Sequence, residues 1–221
     1  MSEPADQPSP QQAEPLSGRK AQARRNDGVI LDAARDVFLR DPRAPISAVA
    51  EAAGVGISAL YRRYAGKEEL LQTLCTDGLR RYIEVAEQSL APELEPSDAF
   101  AQFLTGIVES DVHSLTVHLA GTFTPTEELR ALVAQANTLT EKLMRQTHRA
   151  RAVRRDLDIN DLPMLFEQMS AIRVRDEERT SQLRRRYVAV LLDALRPDAA
   201  TGKLPVPPPT DAELGERWVP N

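Results

Sequence analysis

The stretch YRRYAGK, Tyr61 to Lys67, sets three cations and two phenols within seven residues, a mixture suited to holding phosphate oxygens. Directly ahead of it Ile57, Ser58 and Ala59 are small or apolar, which suits contact with base edges and thymine methyls. Arg24 and Arg25, with Arg19 and Lys20 before them, form a second basic cluster that could follow a phosphate backbone or enter a minor groove. For Arg19 and Lys20 a solvated tail is an equally good reading. Covalent and metal chemistry find no comparable grouping. His113, His118 and His148 lack the spacing of four that would put two ligands on one helical face, and no glutamate or cysteine completes a metal set. There is no phosphate-binding glycine loop and no nucleophile elbow. Cys75 is the only cysteine, which excludes an internal disulfide and fits a buried small hydrophobe. The expectation is a binding protein, not an enzyme, with no catalytic residues, no metal and no cofactor.

Two short helices and a turn must position these side chains. Ile46, Val49, Ala50 and Ala53 recur at spacings of three and four and share one buried face, while Ser47, Ala48, Glu51 and Ala52 face outward. Gly54 follows, where a left-handed residue ends a helix and turns the chain, and Val55 plugs the corner. The second helix, Ile57 to Tyr64, has Leu60 as its buried anchor and presents Ser58, Ala59, Tyr61, Arg62 and Arg63. A helix before them, from about Arg24 to Leu39, buries Ile30, Ala33, Ala34, Val37 and Phe38 and is stopped by Asp41-Pro42.

Over Arg24 to Leu71 the chain resembles the helix-turn-helix signature of the TetR family of one-component transcriptional regulators. The matching positions are Ile30, Ala33, Ala34 and Phe38, then Val49, Ala50, Ala53, Gly54 and Val55, then Leu60, Tyr61, Arg62, Tyr64, Lys67, Glu68 and Leu71. Pro45, Gly56 and Ser58 depart from the commonest pattern, but proline is acceptable at a helix start and glycine or serine at a helix N-terminus. The resemblance implies a homodimeric, ligand-responsive repressor that binds double-stranded DNA at a pseudo-palindromic operator and is released by a small-molecule effector. The DNA-contacting set it implies here is Arg24, Arg25, Ser47, Gly56, Ile57, Ser58, Ala59, Tyr61, Arg62, Tyr64 and Lys67.

Net charge is −5, which by itself opposes such a partner. Between Ser17 and Lys67, however, ten Lys and Arg face five Asp and Glu, so that stretch carries about +5 and the remainder about −10. The remainder reads as all-α. A long helix spans Lys67 to about Leu90, with Leu70, Leu71, Leu74, Cys75, Gly78, Leu79, Tyr82, Ile83, Ala86 and Leu90 in adjacent rows able to pack on both the reading head and the next domain. Ser97 or Asp98 caps the next helix, whose stripe is Phe100, Phe103, Leu104, Ile107 and Val108. A short helix falls near Leu115 to Ala120, and a long one runs from Glu127 to about Arg151. Its basic end, Arg149, Arg151, Arg154 and Arg155, suits either the helix dipole or a second nucleic-acid contact. Asn160 or Asp161 opens a further helix, and the last runs from about Glu177 to Leu195. The organisation is therefore a disordered polar tail over 1–18, a three-helix helix-turn-helix domain over 19–66, a ligand-binding and dimerisation bundle over 67–196 joined to it by the long helix, and a proline-rich tail over 197–221. Trp218 in that tail can dock on the body or stay free.

The last two helices carry more apolar surface than a small core needs, and Leu165, Leu183, Tyr187, Val190, Leu191 and Ala194 are the candidate dimer contacts. The resemblance implies the same pairing, as a four-helix bundle. It also implies an effector cavity within the C-terminal helices, for which Phe103, Ile107, Phe123, Leu139, Leu143, Phe166 and Met169 are candidate liners, plain core being the alternative for each. A largely apolar effector would suit them. The opening residues hold no basic segment followed by an apolar run, and no stretch approaches the roughly 18 apolar residues of a membrane helix, so a cytoplasmic protein with no membrane partner is expected.

Overall fold

The computed structural model describes residues 18–119 and 121–216, with side chains described from residue 28 onward except at 114 and 116–118. Of the polar tail expected over 1–18, Gly18 opens a helix and residues 1–17 lie outside the described residues, as do the docking of Trp218 and the side chains of Arg19, Lys20, Arg24, Arg25 and His118. Among the described residues ten α-helices run in order: α1 (Gly18–Arg40), α2 (Ile46–Ala52), α3 (Ile57–Arg63), α4 (Lys67–Ser89), α5 (Pro96–Glu109), α6 (Val112–Leu119), α7 (Glu127–Arg149), α8 (Asp161–Ser170), α9 (Glu177–Ala194) and α10 (Asp211–Glu216), with a 3₁₀ turn at Pro197–Ala199. Among the described residues there is no strand, so the all-α class holds.

Helix α1 begins about six residues earlier than its apolar periodicity indicates. The extension, GRKAQA, is rich in good helix formers but carries no apolar stripe, so periodicity alone could not find it. Helix α5 opens on Pro96 with Glu95 at the N-cap and no side-chain cap, in place of the expected Ser97 or Asp98 cap; a proline in the first turn already has the required φ. Helices α7 and α9 start on side-chain caps. Thr126 accepts from the Leu129 N–H at 3.1 Å to open α7, and Asp176 accepts from the Arg179 N–H at 2.7 Å to open α9.

Two hydrophobic clusters divide the molecule. The first gathers Phe38, Val49, Leu60, Leu70, Leu71 and Leu74 of α1 to α4, and also takes in Leu115 and Leu119 of α6, Phe123 and Leu129. The second gathers Phe100, Phe103, Leu104 and Ile107 of α5 with Ala86, Leu143, Leu162, Phe166 and Val188. Helix α4 therefore gives its first turns to one core and its last turns to the other, while packing along α7 over much of its length. The segment after α9 is tied to the body by polar contacts. Arg154 pairs with Asp156 at 2.7 Å and donates to the Gly202 carbonyl at 2.9 Å, the Leu204 N–H donates to Asp156, and Asn160 Nδ2 donates to the Pro209 carbonyl and to Asp211. The Arg154 fork and the Leu204 N–H hold the Asp156 carboxyl well below the usual carboxylate range. The basic end of α7 is thus partly structural.

Helices α4 and α5 cross at Gly106, where an added Cβ would come within 2.7 Å of Val85 Cγ1. Gly106→Ala should destabilise the fold by about 1–3 kcal/mol through overpacking, and Val85→Ala in the same chain should recover most of that loss. Urea unfolding of the two variants checks this; no recovery would mean that the crossing is not where the strain falls.

Candidate nucleic-acid interface

The turn between α2 and α3 is closed by backbone alone. Gly54 has φ of 64°, the Val55 N–H reaches the Ala50 carbonyl at 3.0 Å and the Gly54 N–H reaches the Glu51 carbonyl at 3.1 Å. This is the six-to-one and five-to-two pair that ends a helix on a left-handed residue. The turn sets α3 across α2, with Leu60 fully buried between them and the first cluster. On α3 the opposite face is open. Ile57 and Tyr61 are exposed by 39% and 52%, Ser58, Arg62 and Arg63 are exposed, Ala59 is half-buried, and Ser47 and Gly56 at the two helix starts are exposed. Small residues therefore stand at the N-terminal end of α3 and cations at its C-terminal end, as the sequence indicated.

Two further residues of the expected set have partners within the head. Tyr64 ends α3 in an extended conformation and is buried, its ring belonging to the head cluster and not to the open surface. Lys67 is half-buried and spends two of its three ammonium protons on the Pro42 and Ala44 carbonyls, both at 2.8 Å, with Nζ 5.1 Å from the centroid of the Phe38 ring. Burial lowers its pKa, and the Asp41 carboxylate opposes that shift. In this structure Lys67 binds the α1–α2 loop to the start of α4, so its role is first to hold the head together. That loop is further ordered by Asp41, which accepts from the Arg43 N–H at 2.8 Å. Arg43 itself is exposed on the anchored loop, and sequence reasoning passed over it. Its signal was slight: one cation between Pro42 and Pro45.

The candidate effector liners divide as well. Phe103, Ile107, Leu143 and Phe166 are buried together in the second cluster, with Leu139 and Met169 packed against it. Phe123 is not among them. It follows α6 into the head cluster, because α6, which packs on α1 as well as on α8, carries Leu115 and Leu119 into that cluster just ahead of it. Rings meet edge-on within the second cluster, Tyr82 to Phe103 at 5.7 Å and Phe103 to Phe166 at 6.0 Å. Tyr82 Oη and Thr140 Oγ1 lie 2.9 Å apart, and burial pushes the Tyr82 phenol up to about 12. Neither hydroxyl was singled out from sequence for a binding role, since each lies among apolar residues at ordinary helical spacing.

The comparisons with known proteins fit this geometry. Residues 30–74 match the model for bacterial regulatory proteins of the tetR family, and residues 95–197 match that for the SbtR-like transcriptional regulator C-terminal domain. The chain belongs to the TetR family. Among solved structures, this TetR-family chain is similar to the TetR-like transcriptional regulator LfrR from Mycobacterium smegmatis in complex with proflavine, at 19% identity and a TM-score of 0.59 over 83% of this chain and 99% of that one. It is similar also to a TetR transcription regulatory protein from Mycobacterium vanbaalenii, at 26% identity and a TM-score of 0.54 over 80% and 99%. No curated protein matches it. The TetR-family helix-turn-helix is thus the DNA-binding element of this regulator, and its similar structures are those of transcriptional regulators. Among the described residues no helix is long and apolar enough to cross a membrane.

Lys67→Met keeps the stem over Phe38 but removes both charged hydrogen bonds. It should lower unfolding stability by about 2 kcal/mol, the range for bonds from a charged donor. An unchanged denaturation midpoint would show that the loop does not depend on Lys67.

Proposed function

We propose that this TetR-family regulator is a homodimeric repressor that reads a pseudo-palindromic operator with two copies of α3 and is released by a small-molecule effector. The observation that carries the dimer is the outward stripe of α9. Tyr187 and Val190 are exposed by 46% and 56%, Ala194 is exposed, and Leu183 and Leu191 are half-buried, as is Leu165 on α8. Single exposed apolar residues are ordinary, but a run at spacings of four, three and four on one helix is the pattern of a helix-pairing seam. A two-fold pair built on it would carry two heads and call for two half-sites about one DNA turn, roughly 34–36 Å, apart.

On each head, Ile57, Ser58 and Ala59 are assigned to base edges, with Ser47, Gly56, Tyr61, Arg62 and Arg43 to phosphates, and Arg24 and Arg25 to the backbone or minor groove nearby. Lys67 retains one proton for a phosphate while holding its loop. The effector is assigned to the second cluster, bounded by Phe103, Ile107, Leu143 and Phe166, with the Tyr82 and Thr140 hydroxyls as polar contacts. The partly open space beside it between α5, α6 and α8, lined by Ile107, Val108, Asp111, His113, Phe166 and Ser170, measures only about 10 Å³. Ligand pockets run from about 300 Å³ upward, so an effector must part these helices to enter, which is the displacement that release requires.

Leu191 also packs into the body, so the dimer is best tested at the two exposed positions. Tyr187→Glu with Val190→Glu should convert a dimer into a folded monomer by light scattering, since unpaired carboxylates in an interface core are costly. A dimer that survives both changes would rule the seam out. For the reading head, selection from random duplexes should enrich an inverted repeat. Arg62→Ala should then weaken specific and non-specific duplexes alike and make the log-affinity against log-salt slope shallower by about 0.9, whereas Ala59→Arg should change base preference with no shallower slope. Enrichment of a single unrepeated motif, or an altered base preference in Arg62→Ala, would contradict the arrangement.

A further inference from the structure

Arg184 is a buried cation on α9, and every branch of its guanidinium is engaged. Nε donates to the Ile172 carbonyl at 3.2 Å, Nη2 donates to the Ser170 carbonyl at 3.0 Å, and Nη1 lies 2.9 Å from Asp111 Oδ1. The other Asp111 oxygen holds Arg173 at 3.1 Å. Asp111 sits in the turn between α5 and α6 with φ of 50°, a left-handed conformation that aspartate and asparagine tolerate better than most residues. The α8 C-terminus, the α8–α9 loop, α9 and the α5–α6 turn are thus tied at one carboxylate.

The turn that carries Asp111 is also the seam between the two cores. Val112 packs in the body cluster, whereas Leu115 and Leu119, on the same helix, pack in the head cluster. The neighbouring Ser110 carbonyl accepts from Nη1 of Arg35, on α1 of the head, at 3.4 Å. Arg35 is half-buried and its Nε has no partner, so burial, with the neighbouring Arg81 charge, draws its pKa down. Arg184, for its part, lies on the turn of α9 that also bears Leu183 and Tyr187 of the proposed seam, facing inward where they face outward. Arg184, Asp111, the Ser110 carbonyl and Arg35 thus form a continuous line of polar contacts from α9 to α1.

We infer that Arg184, Asp111 and Arg35 are positioning residues which set the placement of the DNA-reading head from the pairing helix, so that dimer geometry and operator affinity are coupled through the α5–α6 turn. This rests on the dimeric reading above. No member of the set touches DNA. Their effect is on the distance and angle between the two recognition helices, and an operator with fixed half-site spacing registers that effect as affinity.

The test compares three variants of the full chain. Asp111→Asn keeps the backbone conformation and removes the charge. Arg35→Gln cuts the head side of the relay without touching α9. Val188→Ala, on the buried face of α9, removes core packing and leaves every polar link intact. A spin label at Glu51→Cys, exposed on α2, reports the spacing between heads. Cys75 is buried with its thiol pushed up to about 12, so it stays unlabelled. The parent should give one narrow inter-head distance. Asp111→Asn and Arg35→Gln should broaden it and weaken operator binding about tenfold, at an unchanged dimer dissociation constant. Val188→Ala should leave both within about twofold at a comparable loss of thermal stability. The inference is overturned if the polar variants behave as Val188→Ala does, or if all three broaden the distance equally. A parent that is monomeric, or that selects no operator, would instead remove the dimeric reading, and this inference with it.

Discussion

Helix α4 has to be buried on two sides of the molecule at once. Leu70, Leu71, Leu74 and Cys75 commit its first half to the head, and Ala86, with Tyr82, Val85 and Leu90, commits its second half to the body. A helix of this length gains most of its stability from such packing and little from propensity, so neither core can reshape itself without moving the helix they share. The turn at 121–126 adds polar ties. Gln72 donates to the Thr124 carbonyl at 2.9 Å, and the Thr124 N–H donates to Glu68 at 3.2 Å. The head is accordingly held by packing from α4 and α6 and by hydrogen bonds from the turn before α7.

Charge is used differently in the two halves. On the open face of α3 the arginines are exposed, where screening by water leaves a charge worth little to the stability of the fold. At the α5–α6 turn Arg184 is withdrawn from water, a costly arrangement that only complete pairing offsets. Lys67 lies between these cases, half-buried and bound to two carbonyls, yet at the edge of the surface that would meet DNA. The negative charge outside the reading head is shared about equally between the body and the two ends of the chain, and it spares the reading surface.

Most of the helices were legible because their apolar residues recur at helical spacing, and the reading head was legible because Gly54, Leu60 and the YRRY run fall at fixed offsets from one another. The failures share one cause: periodicity reports which face of a helix is buried and says nothing about what happens at its end. Tyr64 is the residue after α3, where an extended backbone turns its ring inward. Lys67 is the first residue of α4, where long-range carbonyls become its partners. Phe123 follows α6, and only the path of that helix decides which core it enters. The Arg184–Asp111 pair joins residues far apart in the chain, and no local pattern announces it.

The close crossing at Gly106 has a mechanical consequence. With Val85 seated against a residue that has no side chain, α4 and α5 approach closely there, and the contact would be the fulcrum of any tilt of α4 against α5. Lys67 lies about eighteen residues from Val85 along α4, a lever arm of roughly 27 Å at 1.5 Å per residue. A tilt of about 5° around the fulcrum displaces the far end of such an arm by roughly 2 Å. A small rotation of α4 at this crossing would thus be magnified at the head by the length of one helix.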